Sequence, residues 1–179
     1  SPATLWKTKV PLQHQRRVMA ARLAVRQRTD PRRPLPRALV IGGQRCGTSS
    51  LYKYLEHHPL LLASMRKETE FFSSEFGRGV PWYRAHFASR ARHRWLRARH
   101  GAPAVAYEAT PLYLFHPLAP ARAAALVPEA KLIVVLRDPV ERAWSHYHHE
   151  ARRGREARPF EVAIAEEPAL VAAELRQID

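Results

Sequence analysis

The stretch Leu39-Val-Ile-Gly-Gly-Gln-Arg-Cys-Gly-Thr-Ser-Ser-Leu-Tyr-Lys-Tyr-Leu55 constrains the fold more than any other part of the chain. A short apolar run reads as a buried strand. Gly42, Gly43 and Gly47 read as a tight turn, and Leu51, Tyr54 and Leu55 as one side of a helix. Strand, glycine-rich loop and helix N-terminus together make an anion cradle, because the first N–H groups of a helix lack partners and sit at the positive end of its dipole. A phosphorylated ligand is expected here.

The loop departs from the nucleotide-hydrolase pattern. Gly42 and Gly47 have the spacing of a Walker loop and Ser49 supplies the hydroxyl, but Thr48 stands where the lysine should be. Without that lysine the loop is poorly equipped to polarise the terminal phosphates of ATP. The cation lies inside the loop instead, at Arg45. A phosphatase reading fails as well, since Tyr52 occupies the position where a cysteine loop would need arginine.

A second segment, Lys131-Leu-Ile-Val-Val-Leu-Arg-Asp-Pro-Val-Glu-Arg-Ala-Trp-Ser-His-Tyr147, begins with an uninterrupted apolar run expected of a parallel strand covered on both faces. Arg137 then lies at the strand's carboxyl end, where open α/β sheets place ligands. Pro139 suits the first turn of a helix, and Ser145 follows about two turns on. An arginine fork beside a serine hydroxyl is suited to a second phosphate.

Together the two segments resemble the sulfotransferase superfamily, whose donor is 3′-phosphoadenosine-5′-phosphosulfate (PAPS) and whose nucleotide product is PAP. Gly42 to Leu51 is similar to that family's 5′-phosphosulfate loop, and Leu136 to Ser145 to its 3′-phosphate motif. Lys67-Glu-Thr-Glu-Phe-Phe72 resembles a segment of the carbohydrate (heparan-type) branch and its bacterial relatives. Trp82-Tyr-Arg-Ala-His-Phe87 and Tyr107-Glu-Ala-Thr-Pro-Leu-Tyr113 resemble two further elements of that branch, so the likeness runs from about residue 38 to about 150.

The resemblance implies a role for each matching residue. Glu68 becomes the general base, with Glu70 its neighbour and competitor, and Arg45 and Lys67 become stabilisers of the donor or transition state. Gln44, Arg45, Cys46, Gly47, Thr48, Ser49 and Ser50 cradle the 5′-phosphosulfate, while Arg137 and Ser145 hold the 3′-phosphate. Glu70, Trp82, Arg84 and Glu108 fall on the acceptor side. No metal is expected, as a sulfuryl group carries less charge than a phosphoryl group. Two family lysines are replaced, one by Arg45, which keeps the charge but changes its shape, and one by Ala109. The family also has a C-terminal portion, including a loop that closes over the nucleotide, which nothing after Asp179 supplies. Truncation is the corresponding expectation.

Other classes compete. A small-molecule or nucleotide kinase on the same scaffold lacks its lysine and an evident acidic magnesium ligand after a strand. A non-catalytic basic module binding nucleic acid or another polyanion would draw on the net charge of +14. Residues 1–37 carry ten Lys/Arg against one Asp, and residues 84–100 carry six arginines and three histidines with no acid. With five motifs in order, the transferase reading stands ahead of both, with a hydroxyl-bearing acceptor, a sugar by resemblance, and no nucleic-acid partner. His146 and His149 share a helix face but offer no third metal ligand from another element, which favours solvated or capping histidines.

The elements expected are a basic helix over 12–27 with Val18, Ala21 and Val25 on its packing face, then a proline-rich joint. Strands follow near 38–42, 60–64, 104–108 and 131–136, and helices at 48–57, 81–99, 117–127 and 139–152. Two closing helices are separated near Pro168. Such alternation implies an α/β fold, a P-loop-like parallel sheet with helices on both faces. The division is a basic arm over 1–37 and a sulfotransferase-like domain over 38–179. One cysteine, no signal-peptide pattern and no apolar run of about eighteen residues lead to a cytoplasmic reading, and the likeness to the branch's bacterial relatives implies a bacterial source. Membrane-peripheral attachment is its alternative.

Overall fold

A computed structural model describes residues 11–178. Its sheet has four parallel strands, β1 (Ala38–Gly42), β2 (Leu61–Ala63), β3 (Val105–Ala109) and β4 (Lys131–Val135), in the spatial order β2-β3-β1-β4. Val40 of β1 stands opposite Ala109 on one side and Ile133 on the other. The helices are α1 (Leu12–Thr29), α2 (Thr48–Glu56), α3 (Gly79–Ala85), α4 (Arg90–His100), α5 (Ala119–Leu126), α6 (Pro139–Arg152) and α7 (Phe160–Leu175).

Strand alternation splits the core between the two faces of the sheet. On one, Val40, Tyr107 and Ala109 pack with Tyr52 of α2. The Tyr52 hydroxyl donates to the Ser64 carbonyl at 2.8 Å, and the Tyr107 hydroxyl to the Tyr52 carbonyl at 2.9 Å. On the other face, Leu39, Ile41 and Ala106 meet Phe71, Phe72, Tyr83, Phe87 and Tyr113. Phe71 stacks on Tyr83 with ring centroids 4.2 Å apart. The expected α/β architecture is present, with both faces covered at the central strands β1 and β3. All four strands end on the same edge, so the loops 43–47, 64–70 and 136–138 and the Thr110–Pro111 turn converge there.

Four local expectations are corrected. Leu132, Ile133, Val134 and Leu136 are exposed rather than covered, because β4 lies at the sheet edge beside β1 and, among the described residues, no helix packs extensively on its faces. The 81–99 segment forms two helices, α3 and α4, because Phe87 is buried between them and the Ser89 side chain caps α4 by accepting the Arg92 N–H at 3.2 Å. Residues 160–175 form one helix that carries Pro168 inside it; alanine and glutamate on both sides keep the helix going past the one donor that proline removes. α1 packs through Leu23 and Arg26, not through Val18 and Val25, which are exposed. Arg26 donates to the carbonyls of Ala85 and Phe87, and Arg90 pairs with Asp30 at 3.2 Å. Residues 1–10 of the expected basic arm lie outside the described residues. Among those described, no helix is long and apolar enough to cross a membrane.

Candidate active site

A cavity of about 610 Å³ opens at the carboxyl edge of the sheet. Gln44, Arg45, Gly47, Thr48, Ser49 and Ser50 line one side, and Lys67, Glu68 and Glu70 face them. Loop chemistry explains the first side. Gly42 leaves β1 with φ of 151°, and a Cβ there would sit 2.1 Å from the Val135 carbonyl oxygen of β4. Gly47 caps α2 in the left-handed region, φ 96°, with open space where a Cβ would be. The first N–H groups of α2, at Thr48 and Ser49, thus stand at a helix N-terminus without intrahelical acceptors, the arrangement an anionic phosphosulfate fits. Thr48, at the Walker lysine position, is buried and brings no cation. Cys46 lies outside the cavity lining: its Sγ turns in against Gly43, where a Cβ would come within 2.8 Å, so it fills the loop.

The opposite side is a tight turn between β2 and the aromatic segment. Glu68 and Glu70 both have left-handed backbone, φ 60° and 58°, and the Glu68 N–H donates to the Ala109 carbonyl at 2.9 Å. The Lys67 ammonium pairs with the Glu68 carboxylate. This puts an acid, with a cation beside it, across from the glycine-rich loop. Ala109 itself is wholly buried against Val40, Tyr52 and Tyr107, so the position of the second replaced lysine faces the core here.

Arg137 and Ser145 come together on a second, open cavity of about 460 Å³, with Glu141, Trp144, His148 and Arg152. Arg137 is paired with Glu141 at 3.0 Å, one turn on. The α6 N-terminus beside it is built by sequence: Pro139 occupies the first turn, and Asp138 accepts the N–H groups of Val140 and Glu141 at 3.0 Å. Arg45 reaches from the loop to the Ser145 hydroxyl, donating through Nε at 3.3 Å, and so links the two cavities.

Three residues placed on the acceptor side by resemblance lie elsewhere. Trp82 packs on Phe71 and His86, beneath the aromatic core, and Arg84 donates to the Arg33 carbonyl on the α1 side. Glu108 is fully buried, since its position in β3 faces the aromatic cluster rather than the strand's open end. Glu70 alone of the four lines the cavity. Conversely, the sequence reading missed one wall. His146, His149, Glu150 and Arg153 of α6 and its C-terminal turn complete the first cavity, with Arg155 beyond. Arg142, His146, His149 and Arg153 fall at helical spacing on one side, a signal present in the sequence once Ser145 is placed on the neighbouring side. Burial holds His146 below its ordinary pKa, and its Nδ1 has no hydrogen-bond partner. Among the described residues, no group of three or more His, Cys, Asp or Glu is arranged to hold a metal.

Comparison with known proteins agrees with this geometry. A profile described as "Sulfotransferase family" matches residues 36–176. The membrane-associated sulfotransferase kil1 of Dictyostelium discoideum is 38% identical over 114 residues, covering 64% of this chain and 23% of that protein. The human bifunctional heparan sulfate N-deacetylase/N-sulfotransferase 3 is 37% identical over 124 residues, covering 65% and 13%. The human heparan sulfate glucosamine 3-O-sulfotransferase 6 is 38% identical over 116 residues, covering 65% and 31%. The crystal structure of a sulfotransferase from Alicyclobacillus acidocaldarius superimposes with a TM-score of 0.58 at 31% identity, over 81% of this chain and 60% of that one. The chain therefore spans less than a third of the length of each of these curated relatives. On the strength of the profile match and the two-cavity site, this chain belongs to the sulfotransferase family.

Proposed function

We propose that the protein transfers a sulfuryl group from PAPS to a hydroxyl on a carbohydrate or glycoconjugate. The observation that carries this reading is the meeting, across one cavity, of a phosphate loop without its Walker lysine and the Lys67–Glu68 pair. The donor supplies an activated sulfuryl group on a phosphate leaving group. Glu68 takes the proton from the acceptor hydroxyl. Lys67 and Arg45 offset negative charge on the departing phosphate oxygen, and the α2 N-terminus holds that phosphate in place. Arg137 and Ser145 hold the 3′-phosphate, with Arg137 exchanging Glu141 for the phosphate oxygens. A sugar acceptor is supported by relatives whose names specify heparan sulfate. We further read residues 1–37 as a basic arm preceding the family domain, and the protein as a cytoplasmic enzyme whose arm is the part suited to an acidic surface.

Transfer of radiolabelled sulfate from PAPS to a panel of glycans and glycosides tests the reading. Glu68→Gln should lower kcat by about a hundredfold or more while leaving PAP affinity within about twofold. Full transfer by that variant would remove Glu68 from the mechanism.

A further inference from the structure

The turn that carries Glu68 and Glu70 is held from beneath by a buried carboxyl. Thr69, between the two acids, is completely buried, and its hydroxyl donates to Glu108 Oε2. The Thr110 hydroxyl donates to the same oxygen at 3.3 Å. Glu108 Oε1 accepts the hydroxyls of Tyr83 at 2.5 Å and Tyr113 at 3.1 Å. No cation takes part in this set of contacts. Burial pushes the Glu108 carboxyl above its ordinary pKa, and the four hydroxyls pull it back.

Direction matters in this network. Because their protons point at Glu108, the Thr69 and Tyr113 hydroxyls turn lone pairs toward the backbone. Thr69 Oγ1 then accepts the Phe71 N–H at 3.4 Å, and the Tyr113 hydroxyl accepts the Phe72 N–H at 3.3 Å. From the other end, Arg122 grips the carbonyls of Phe72 and Ser73 at 3.0 and 2.8 Å. An acceptor-only carboxylate orders the whole set; an amide in its place presents a donor to two hydroxyls that already point inward. Left-handed backbone at the two acidic positions that flank Thr69 persists only where the surroundings over-determine it, and this network supplies that determination.

We propose that Glu108 is a positioning residue for the reaction: acting through Thr69, it fixes the left-handed turn that aims Glu68 and Glu70 into the donor cavity. The inference rests on the reading of Glu68 as the base. Glu108 touches neither donor nor acceptor and acts only through the turn.

Three variants test it: Thr69→Val, which keeps shape and loses the hydroxyl; Thr69→Ser, which keeps the hydroxyl; and Glu108→Gln, which keeps size and reverses one hydrogen-bonding end. Thr69→Val and Glu108→Gln should lower kcat by about tenfold to a hundredfold with the donor KM within about twofold, and Thr69→Ser should recover most of the rate. Thr69→Val placed on Glu68→Gln should cost nothing more, since both act on one group. Hydrogen exchange gives a readout independent of turnover: in Thr69→Val the Glu68 amide should exchange about tenfold faster, with β1 amides unchanged. A folded Thr69→Val with wild-type kcat, or a full additional loss in the double variant, overturns the proposal. So does unchanged exchange at Glu68, which decides the matter even if Glu108→Gln fails to fold. Wild-type transfer by Glu68→Gln, with faster exchange in Thr69→Val, would instead overturn the assignment of the base and leave the turn's dependence on Glu108 standing.

Discussion

Gly42 and Gly47 sit five residues apart in one loop, and their backbones ask for glycine for different reasons. At Gly42 an added Cβ meets the backbone oxygen of Val135, which cannot move without parting β1 from β4. At Gly47 the space is open and only the left-handed φ disfavours a side chain. Gly42→Ala should therefore cost about 3 kcal/mol and Gly47→Ala about 1 kcal/mol, measured by urea unfolding; equal costs would contradict the clash. His86 gives the residue scale its pH dependence. It is almost wholly buried, its Nδ1 stands 3.1 Å from the Trp82 carbonyl, and burial lowers its pKa from 6.5 to about 4. Between those values the unfolded chain binds a proton that the folded one refuses. The stability contribution is thus intact above about pH 6.5 and is lost as pH falls toward 4, by at most about 3 kcal/mol. His86→Gln should flatten the difference between unfolding free energies at pH 7 and pH 4.5; an unchanged difference would exclude His86 as its source.

Among the elements, β1 and β4 carry similar apolar sequences with opposite fates. Leu39 is 1% exposed at the centre of the sheet, whereas Leu132 is 60% exposed at its edge. Leu39→Ala should cost about 3 kcal/mol and Leu132→Ala less than about 1 kcal/mol. Matching losses in thermal or urea unfolding would show that β4 is covered in solution. Composition alone does not separate these strands, because β-branched runs look alike wherever they fall in the order, and the order is set by long-range pairing. The strands and the α2 and α6 boundaries were legible because glycine, proline and Asp138 punctuate them chemically. The phosphate loop and the Lys67–Glu70 turn were legible as motifs. What lay beyond reach was depth: whether Trp82, Arg84 and Glu108 lined the cavity or supported it depends on which way a strand or helix faces. The α6 wall escaped for the converse reason, since helical spacing shows which residues share a face but not what that face meets.

At the scale of the whole molecule, α6 is the partition. One side of it, with His146 and Arg153, closes the cavity shared by the phosphate loop and Glu68; the neighbouring side, with Ser145 and Arg152, opens on the second cavity. Arg45 joins the two through its hydrogen bond to Ser145. The proposed donor, phosphorylated at the 3′ and 5′ positions of one ribose, would set one phosphate at each cavity, whereas a triphosphate would place its charge at the one loop that lacks the Walker lysine. A net charge of +14 favours capture of any such anion, so affinity for anions in general does not discriminate between readings. Discrimination lies in the second phosphate. Calorimetric titration with PAP, ADP and ATP, on the protein and on Arg137→Ala, addresses that directly. PAP should bind at least about tenfold more tightly than ADP, and Arg137→Ala should erase most of that advantage while leaving ADP affinity nearly unchanged. Preference for ATP, or a PAP affinity indifferent to Arg137, would contradict a PAPS-dependent transferase built on these two cavities.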